Sequence, residues 1–171
     1  MRVLAIIVLG LLTAACGFQL RGQAKLPFET LYVAIPESSP MGIDLRRNIA
    51  AGTNTKLVNT PAQAKAILEL VTEERSKSIL SFDSSGQVRE YQLRYRLAFR
   101  VRDARGRDYL PRAEIRLTRD ISYSSTQVLS KESEEQLLYR EMQADMVQQI
   151  LRRLAASPAE PIVYGPDAAA R

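Results

Sequence analysis

Cys16 is the only cysteine in a chain of 171 residues, and it stands directly behind the small residues Thr13, Ala14 and Ala15. A lone thiol behind small side chains is what a lipoprotein signal peptidase accommodates. The thiol is diacylated, the chain is cut before it, and in many bacteria the freed amine takes a further acyl chain. Met1 and Arg2 supply a short positive start. Val3 to Leu12 is an apolar run of about ten residues, short of the roughly 20 that a membrane-spanning helix needs. Thr13 occupies the place where Leu is usual, with Leu12 one residue further out. The competing reading is an ordinary secretory signal with a chance cysteine. On the acylation reading, residues 1–15 are a leader, and two or three acyl chains form a stable anchor where one would be marginal. No second hydrophobic segment follows, so the remainder is expected to be anchored to a membrane without spanning it.

Other chemistries are closed off. The chain has no histidine, which removes imidazole bases, Ser-His triads and histidine metal ligands. It has no Gly-rich phosphate loop. A small periplasmic hydrolase would have to work with carboxylates, Lys or Tyr. Two-carboxylate chemistry needs a pair in a cleft with separated pKa values, whereas most Glu and Asp here fall on expected helix surfaces or strand faces. No catalytic residue, metal or cofactor is expected, and no nucleic-acid partner. The net charge of +5 is modest; it is compatible with an anionic partner and weak evidence for one. With its only thiol acylated the chain has no disulfide, so core packing must hold the fold.

The elements that would position any site read as follows. Leu31 to Ile35 is rich in strand formers and ends at Pro36. Ile43 to Ala51 reads as a helix, with Ser39 or Asp44 as its cap and Gly52 as its stop. Lys56 to Asn59 is a brief extended piece. From Ile67 a strand begins and runs towards Leu80, its alternation blurred at Val71. Ser84-Ser85-Gly86 is a turn. Tyr91, Leu93, Tyr95, Leu97, Phe99 and Val101 then share one parity, opposite Gln92, Arg94, Arg96, Ala98, Arg100 and Arg102. Period two sustained this long defines a half-buried antiparallel strand. Residues 103–108 turn, and Ile115, Leu117, Ile121 and Tyr123 line a partner strand, with Arg119 out of its pattern.

The last element is a long helix from Glu132 to Leu154. Leu138, Met142, Met146, Ile150 and Leu154 recur at four-residue steps, joined by Leu137, Val147 and Leu151. Ser133 and Gln136 suggest a capping box, and the Glu-rich start and the Arg152-Arg153 end suit the helix dipole. The expected fold is α/β in the α+β sense: a two-layer sandwich, with a mainly antiparallel four-stranded sheet and two helices packed on one face. Residues 16–28 are expected to form the lipid-anchored tether, 29–156 a single domain, and 157–171 a disordered tail.

Cys16-Gly17-Phe18-Gln19-Leu20-Arg21-Gly22 resembles the mature start of the LptE family, the lipopolysaccharide-assembly lipoproteins. Gly86 to Leu97, around Glu90-Tyr91-Gln92-Leu93, resembles that family's central strand, and Lys131 to Met142 with Ile150 to Leu154 its final helix. The resemblance implies a non-enzymatic lipoprotein of the cell outer membrane, periplasm-facing and partly inside the LptD β-barrel. There it would be plug and assembly partner in a heterodimer and meet lipopolysaccharide. In lipoproteins that resemble this one, Asp after the cysteine causes inner-membrane retention; Gly17 stands here instead. The resemblance also implies lipopolysaccharide binding at Lys131 and at a basic residue near Ser84. That position carries no charge here, with Arg89 and Lys77 flanking it. The alternatives are a free-standing envelope lipoprotein that binds lipid or peptidoglycan, and the hydrolase above.

The residues themselves offer a second surface. Arg94, Arg96, Arg100 and Arg102 project from one strand face, and Arg binds phosphate bidentately. Three readings stand: a lipopolysaccharide phosphate site joined with Lys131 and Arg89, a solvated face paired with Glu69, Glu73 and Glu114, or a face lying on the polar inner wall of a barrel. Lys131 has its own plain reading, as a neutraliser of Glu132, Glu134 and Glu135.

Overall fold

A computed structural model describes residues 24–163. Cys16, the leader, the tether up to residue 23 and the tail from residue 164 lie outside the described residues. Strand β1 (Thr30–Ala34) leads into helix α1 (Pro40–Gly52), and a two-residue strand β2 (Lys56–Leu57) follows. Then come the long strands β3 (Ala66–Phe82), β4 (Val88–Arg102) and β5 (Asp108–Ser122), and helix α2 (Val128–Ala155). The sheet order is β2-β1-β3-β4-β5. β1 runs parallel to β2 and β3, while β3, β4 and β5 are antiparallel. The sheet therefore has five strands rather than four, because the short extended piece after α1 adds an edge. The parallel pairing of β1 with β3 follows from the helical crossover between them.

Local chemistry explains the punctuation. Ser39 caps α1, its Oγ accepting from Gly42 N, and Pro40 sits where the helix has no use for its missing N–H. Thr53 closes the other end through Oγ1 to the Ile49 carbonyl at 2.8 Å. The two long hairpins use the same turn twice. Asp83 Oδ1 accepts from the backbones of Ser85 and Gln87, and Asp103 Oδ1 from those of Arg105 and Arg107. Gly86 and Gly106 each take the positive φ that such a turn requires.

Both helices lie on one face of the sheet, over a core of Leu93, Tyr95, Leu97, Phe99, Val101, Met142, Met146, Val147, Ile150 and Leu154. Tyr91 and Leu138 pack against its margin. Leu137, expected in the stripe, is 47% exposed, and Tyr139 is buried in its place. Leu26 and Phe28, assigned to the tether, are buried in the same core, with Phe28 edge-on to Tyr109 at 4.9 Å. The chain thus joins the domain by residue 24, where Ala24 N bonds the Gly52 carbonyl. At the other end Ile162 N donates to the Asp108 carbonyl at 2.7 Å, so the start of the expected tail is docked against β5.

Two expectations fail, each for a local reason. Helix α2 starts at Val128, its first turn closed by Lys131 N on the Gln127 carbonyl. Ser133 is consequently internal, its hydroxyl bonded back to the Leu129 carbonyl, so no capping box forms and the glutamates stand beyond the first turn. In β3, Val71 is an extra residue: Leu70 pairs with Phe99 and Thr72 with Ala98. This bulge reverses the facing of the strand from Thr72 to Ile79, where the register shifts again. Glu73, Arg75, Lys77 and Ile79 pair with Leu97, Tyr95, Leu93 and Tyr91, on the helix-covered side.

Candidate functional site

The bare face of the sheet carries the arginines of β4, and the neighbouring strands supply their partners. Arg100 Nε and Arg102 Nε both donate to Glu69, at 2.6 and 2.7 Å. Arg96 donates to Glu74 at 2.6 Å, with Glu114 at 4.0 Å, and Arg116 bonds Glu114 at 2.5 Å. The Arg102 guanidinium, ahead of Arg100, holds the Glu69 carboxyl below its ordinary value. Arg94 bonds only the Gln92 side chain and meets no carboxylate among the described residues. Pairing with glutamates is thus present, with Glu74 in place of the expected Glu73, which the Val71 bulge turns to the other side. A phosphate arriving at Arg96, Arg100 or Arg102 would have to displace a carboxylate.

A second cluster gathers towards the hairpin end, where the start of α2 lies over β3, β4 and the end of β5. A slot of about 170 Å³ is lined by Lys77, Tyr91, Ile121, Tyr123, Val128, Lys131 and Glu135. Lys131 lies within the first turn of α2 rather than ahead of the helix. Its Nζ donates to Ser122 Oγ at 2.9 Å and to Glu134 at 2.8 Å. Lys77 Nζ donates to Glu135 at 2.5 Å and sits 4.2 Å over the Tyr91 ring. Burial acts against the charge on Lys77, but Glu135 outweighs it and the pKa is raised. Tyr91 and Tyr123 meet edge to face at 5.3 Å. Ile79, Leu80, Phe82, Val128 and Leu129 stay exposed at this end, Leu129 by 80%. Five large apolar side chains beside two lysines form an amphipathic end, which solvation alone does not explain.

The expected single site is therefore two. Lys131 and Lys77 share the slot on the helix-covered side, while Arg94, Arg96, Arg100 and Arg102 project from the opposite face. Arg89 belongs to neither pairing network: it is exposed beside the hairpin turn, in a register irregularity where Ser81 pairs with Glu90 and Phe82 with Val88. The Tyr91–Tyr123 floor and the role of Glu135 were hidden in the sequence, because β3 had to be read through its bulge before Lys77 could be placed under α2. Among the described residues no cluster of acidic residues could hold a metal ion, and no helix is long and apolar enough to cross a membrane.

Comparison with known proteins places this architecture. The model of the LptE lipopolysaccharide-assembly family matches residues 28–154. The LPS-assembly lipoprotein LptE of Photorhabdus laumondii is 27% identical over 147 residues, covering 84% of this chain and 79% of its own length. Lipoprotein B of Nitrosomonas europaea, solved by NMR, is 45% identical with a TM-score of 0.71, over 82% of this chain and 91% of that one. The rare lipoprotein B of Shewanella oneidensis, a crystal structure, is 26% identical with a TM-score of 0.65, over 74% and 94%.

Proposed function

The chain belongs to the LptE family of lipopolysaccharide-assembly lipoproteins, and from that premise we propose that it is the plug and assembly partner of an LptD β-barrel in the outer membrane. Its relatives are named for assembly and not for a catalysed reaction. In this reading acylated Cys16 anchors the domain on the periplasmic side, and the domain enters the barrel and helps pass lipopolysaccharide to the outer leaflet. The observation that carries the reading is the bare sheet face. It is charged along β4, yet Arg96, Arg100, Arg102 and Arg116 share Glu69, Glu74 and Glu114 within the same face, while Arg94 lacks a carboxylate among the described residues. Such a surface is polar, with most of its charge paired internally, which suits the polar interior of a large barrel. The long strands suit it too: β3 has 17 residues, roughly 55 Å at strand rise, against an apolar barrel band of about 25 Å. The hairpin end, with Lys77, Lys131, Arg89 and the exposed Phe82 and Leu129, supports contact with a ligand that is both phosphorylated and acylated.

The test is copurification. Tagged mature protein drawn from detergent-solubilised outer membrane should bring down one large, heat-modifiable β-barrel in stoichiometric amount, and should retain lipopolysaccharide on beads. A protein that purifies alone and turns over a substrate would overturn the reading.

A further inference from the structure

Helix α2 is held to the sheet in two different ways along its length. From Tyr139 onward it buries Tyr139, Met142, Met146, Val147, Ile150 and Leu154. Before Tyr139, from Val128 to Leu138, none of its residues is buried. That segment is tied down mainly by polar contacts, Lys77 to Glu135 and Lys131 to Ser122, with Leu138 at its end packing against the core margin. The Tyr139 hydroxyl, bonded to the Ser76 carbonyl at 2.9 Å, marks the boundary. Beneath the polar half lies the slot floored by Tyr91, Ile121 and Tyr123.

We infer that residues 128–138 form a flap that lifts from the sheet about Tyr139, and that the slot beneath takes the acyl end of a phosphorylated lipid whose phosphate replaces Glu135 on Lys77. The ligand half of this inference rests on the function proposed above. Partly exposed ion pairs each bias an equilibrium by about fivefold or less, so the polar half opens at far lower cost than the apolar half. Opening frees Lys77 from Glu135 and parts Lys131 from Ser122, while Lys131 keeps Glu134 within the flap. It also joins the slot floor to Ile79, Val128 and Leu129, which are already exposed. A sugar phosphate alone would satisfy the lysines and leave the aromatic floor facing water. An apolar chain alone would leave the Lys77 ammonium without a counter-charge. A lipid that carries both satisfies both.

Hydrogen exchange on the full mature chain tests the flap without any ligand. Amides of residues 128–138 should exchange on the order of tenfold faster or more than those of 142–154, and faster again in moderate salt, which screens the tying pairs. Lys77→Met and Glu135→Gln should both accelerate exchange in 128–138. Their effects on binding of rough-chemotype lipopolysaccharide should be opposite. Glu135→Gln leaves Lys77 unpaired and should tighten binding by about fivefold, and Lys77→Met should weaken it by about as much. Deacylated lipopolysaccharide, the phosphate without the chains, should bind more weakly to every form. Uniform protection along α2 would overturn the flap and leave the proposed function intact. No binding by the wild type would overturn that function and the ligand with it, while exchange still reads the flap. Equal binding by the two variants, or equal binding of the intact and deacylated probes, would overturn the lipid assignment.

Discussion

Tyr95 donates its phenolic hydrogen to Glu73 at 2.5 Å on the helix-covered side of the sheet, although Glu69, of the same parity in the sequence, accepts from Arg100 and Arg102 on the bare side. The one residue that separates their fates is Val71. The Tyr95 hydroxyl also accepts from Arg75, whose guanidinium reaches Gln143 of α2 at 2.7 Å; Gln143 in turn donates to Asp44 of α1 at 2.6 Å. A single bulge thus sends a charged strand end under the helices and ties it to both.

Tyr95→Phe keeps the ring in the core and removes both hydroxyl bonds. Burial, then the Glu73 carboxylate, push this phenol well above the ordinary tyrosine pKa, so it remains a donor at neutral pH. Leaving Glu73 without that donor should cost about 1–3 kcal/mol, read as a lower urea midpoint at unchanged slope. An unchanged midpoint would mean that the network contributes nothing to holding the helices.

Leu97 is fully buried and pairs with Ile115 on β5. Leu97→Ala should cost about 2–5 kcal/mol, and Leu97→Asp more, since an unpaired buried charge is worse than a cavity. Thermal melts of the domain decide it. A melting temperature untouched by Leu97→Asp would place the strand one residue out of register.

Strand β4 was legible because one signal ran uninterrupted: apolar residues at 91, 93, 95, 97, 99 and 101 admit a single facing. Both tight turns were legible from Gly beside Asp or Ser. β3 was not, because Val71 could be read as noise in the alternation and its effect is non-local: it re-aims Lys77 and Glu73 several residues away. The start of α2 is not legible for a different reason. The Ser133–Gln136 pattern is a sound local cap signal, but the turn at Ser124–Gln127 already begins the helix without a side-chain cap. The resemblance pointed to Lys131, while its partition from the arginine face depends on which side α2 covers, which spacing alone does not set.

Glu69 gives a pH signature. Its carboxyl is held below the ordinary value of 4.5 by Arg102 and Arg100, against burial. A carboxyl whose pKa is lower folded than unfolded adds stability above the unfolded pKa, and that stability is lost as pH falls through the lower folded value. Glu69→Gln should therefore cost about 1 kcal/mol near neutrality, and the gap from wild type should close as pH drops below 4.5. Denaturant midpoints taken from neutral to acid pH check this. A gap that stays constant into acid would show that the charge of Glu69 is not what stabilises the face.

Lys131 separates a structural role from a ligand role. Its ammonium already has two partners, Ser122 Oγ and Glu134, and its side chain is only 18% exposed. If those contacts are its whole purpose, Lys131→Glu places a fourth acid beside Glu132, Glu134 and Glu135, and costs only tenths of a kcal/mol, on the order of surface-pair and dipole effects, with ligand binding intact. The expected result is different, because Lys131 lines the same slot as Lys77 and lies next to exposed Val128 and Leu129. Lys131→Glu should weaken lipopolysaccharide retention while fold and barrel complex persist, and salt should weaken wild-type binding as well. Lys131→Arg, which keeps the charge, should hold most of the wild-type binding. Pull-down with lipopolysaccharide at low and moderate salt measures all three proteins. Equal retention by wild type and Lys131→Glu would remove Lys131 from the site and leave Lys77 and Arg89 as the cations at the hairpin end.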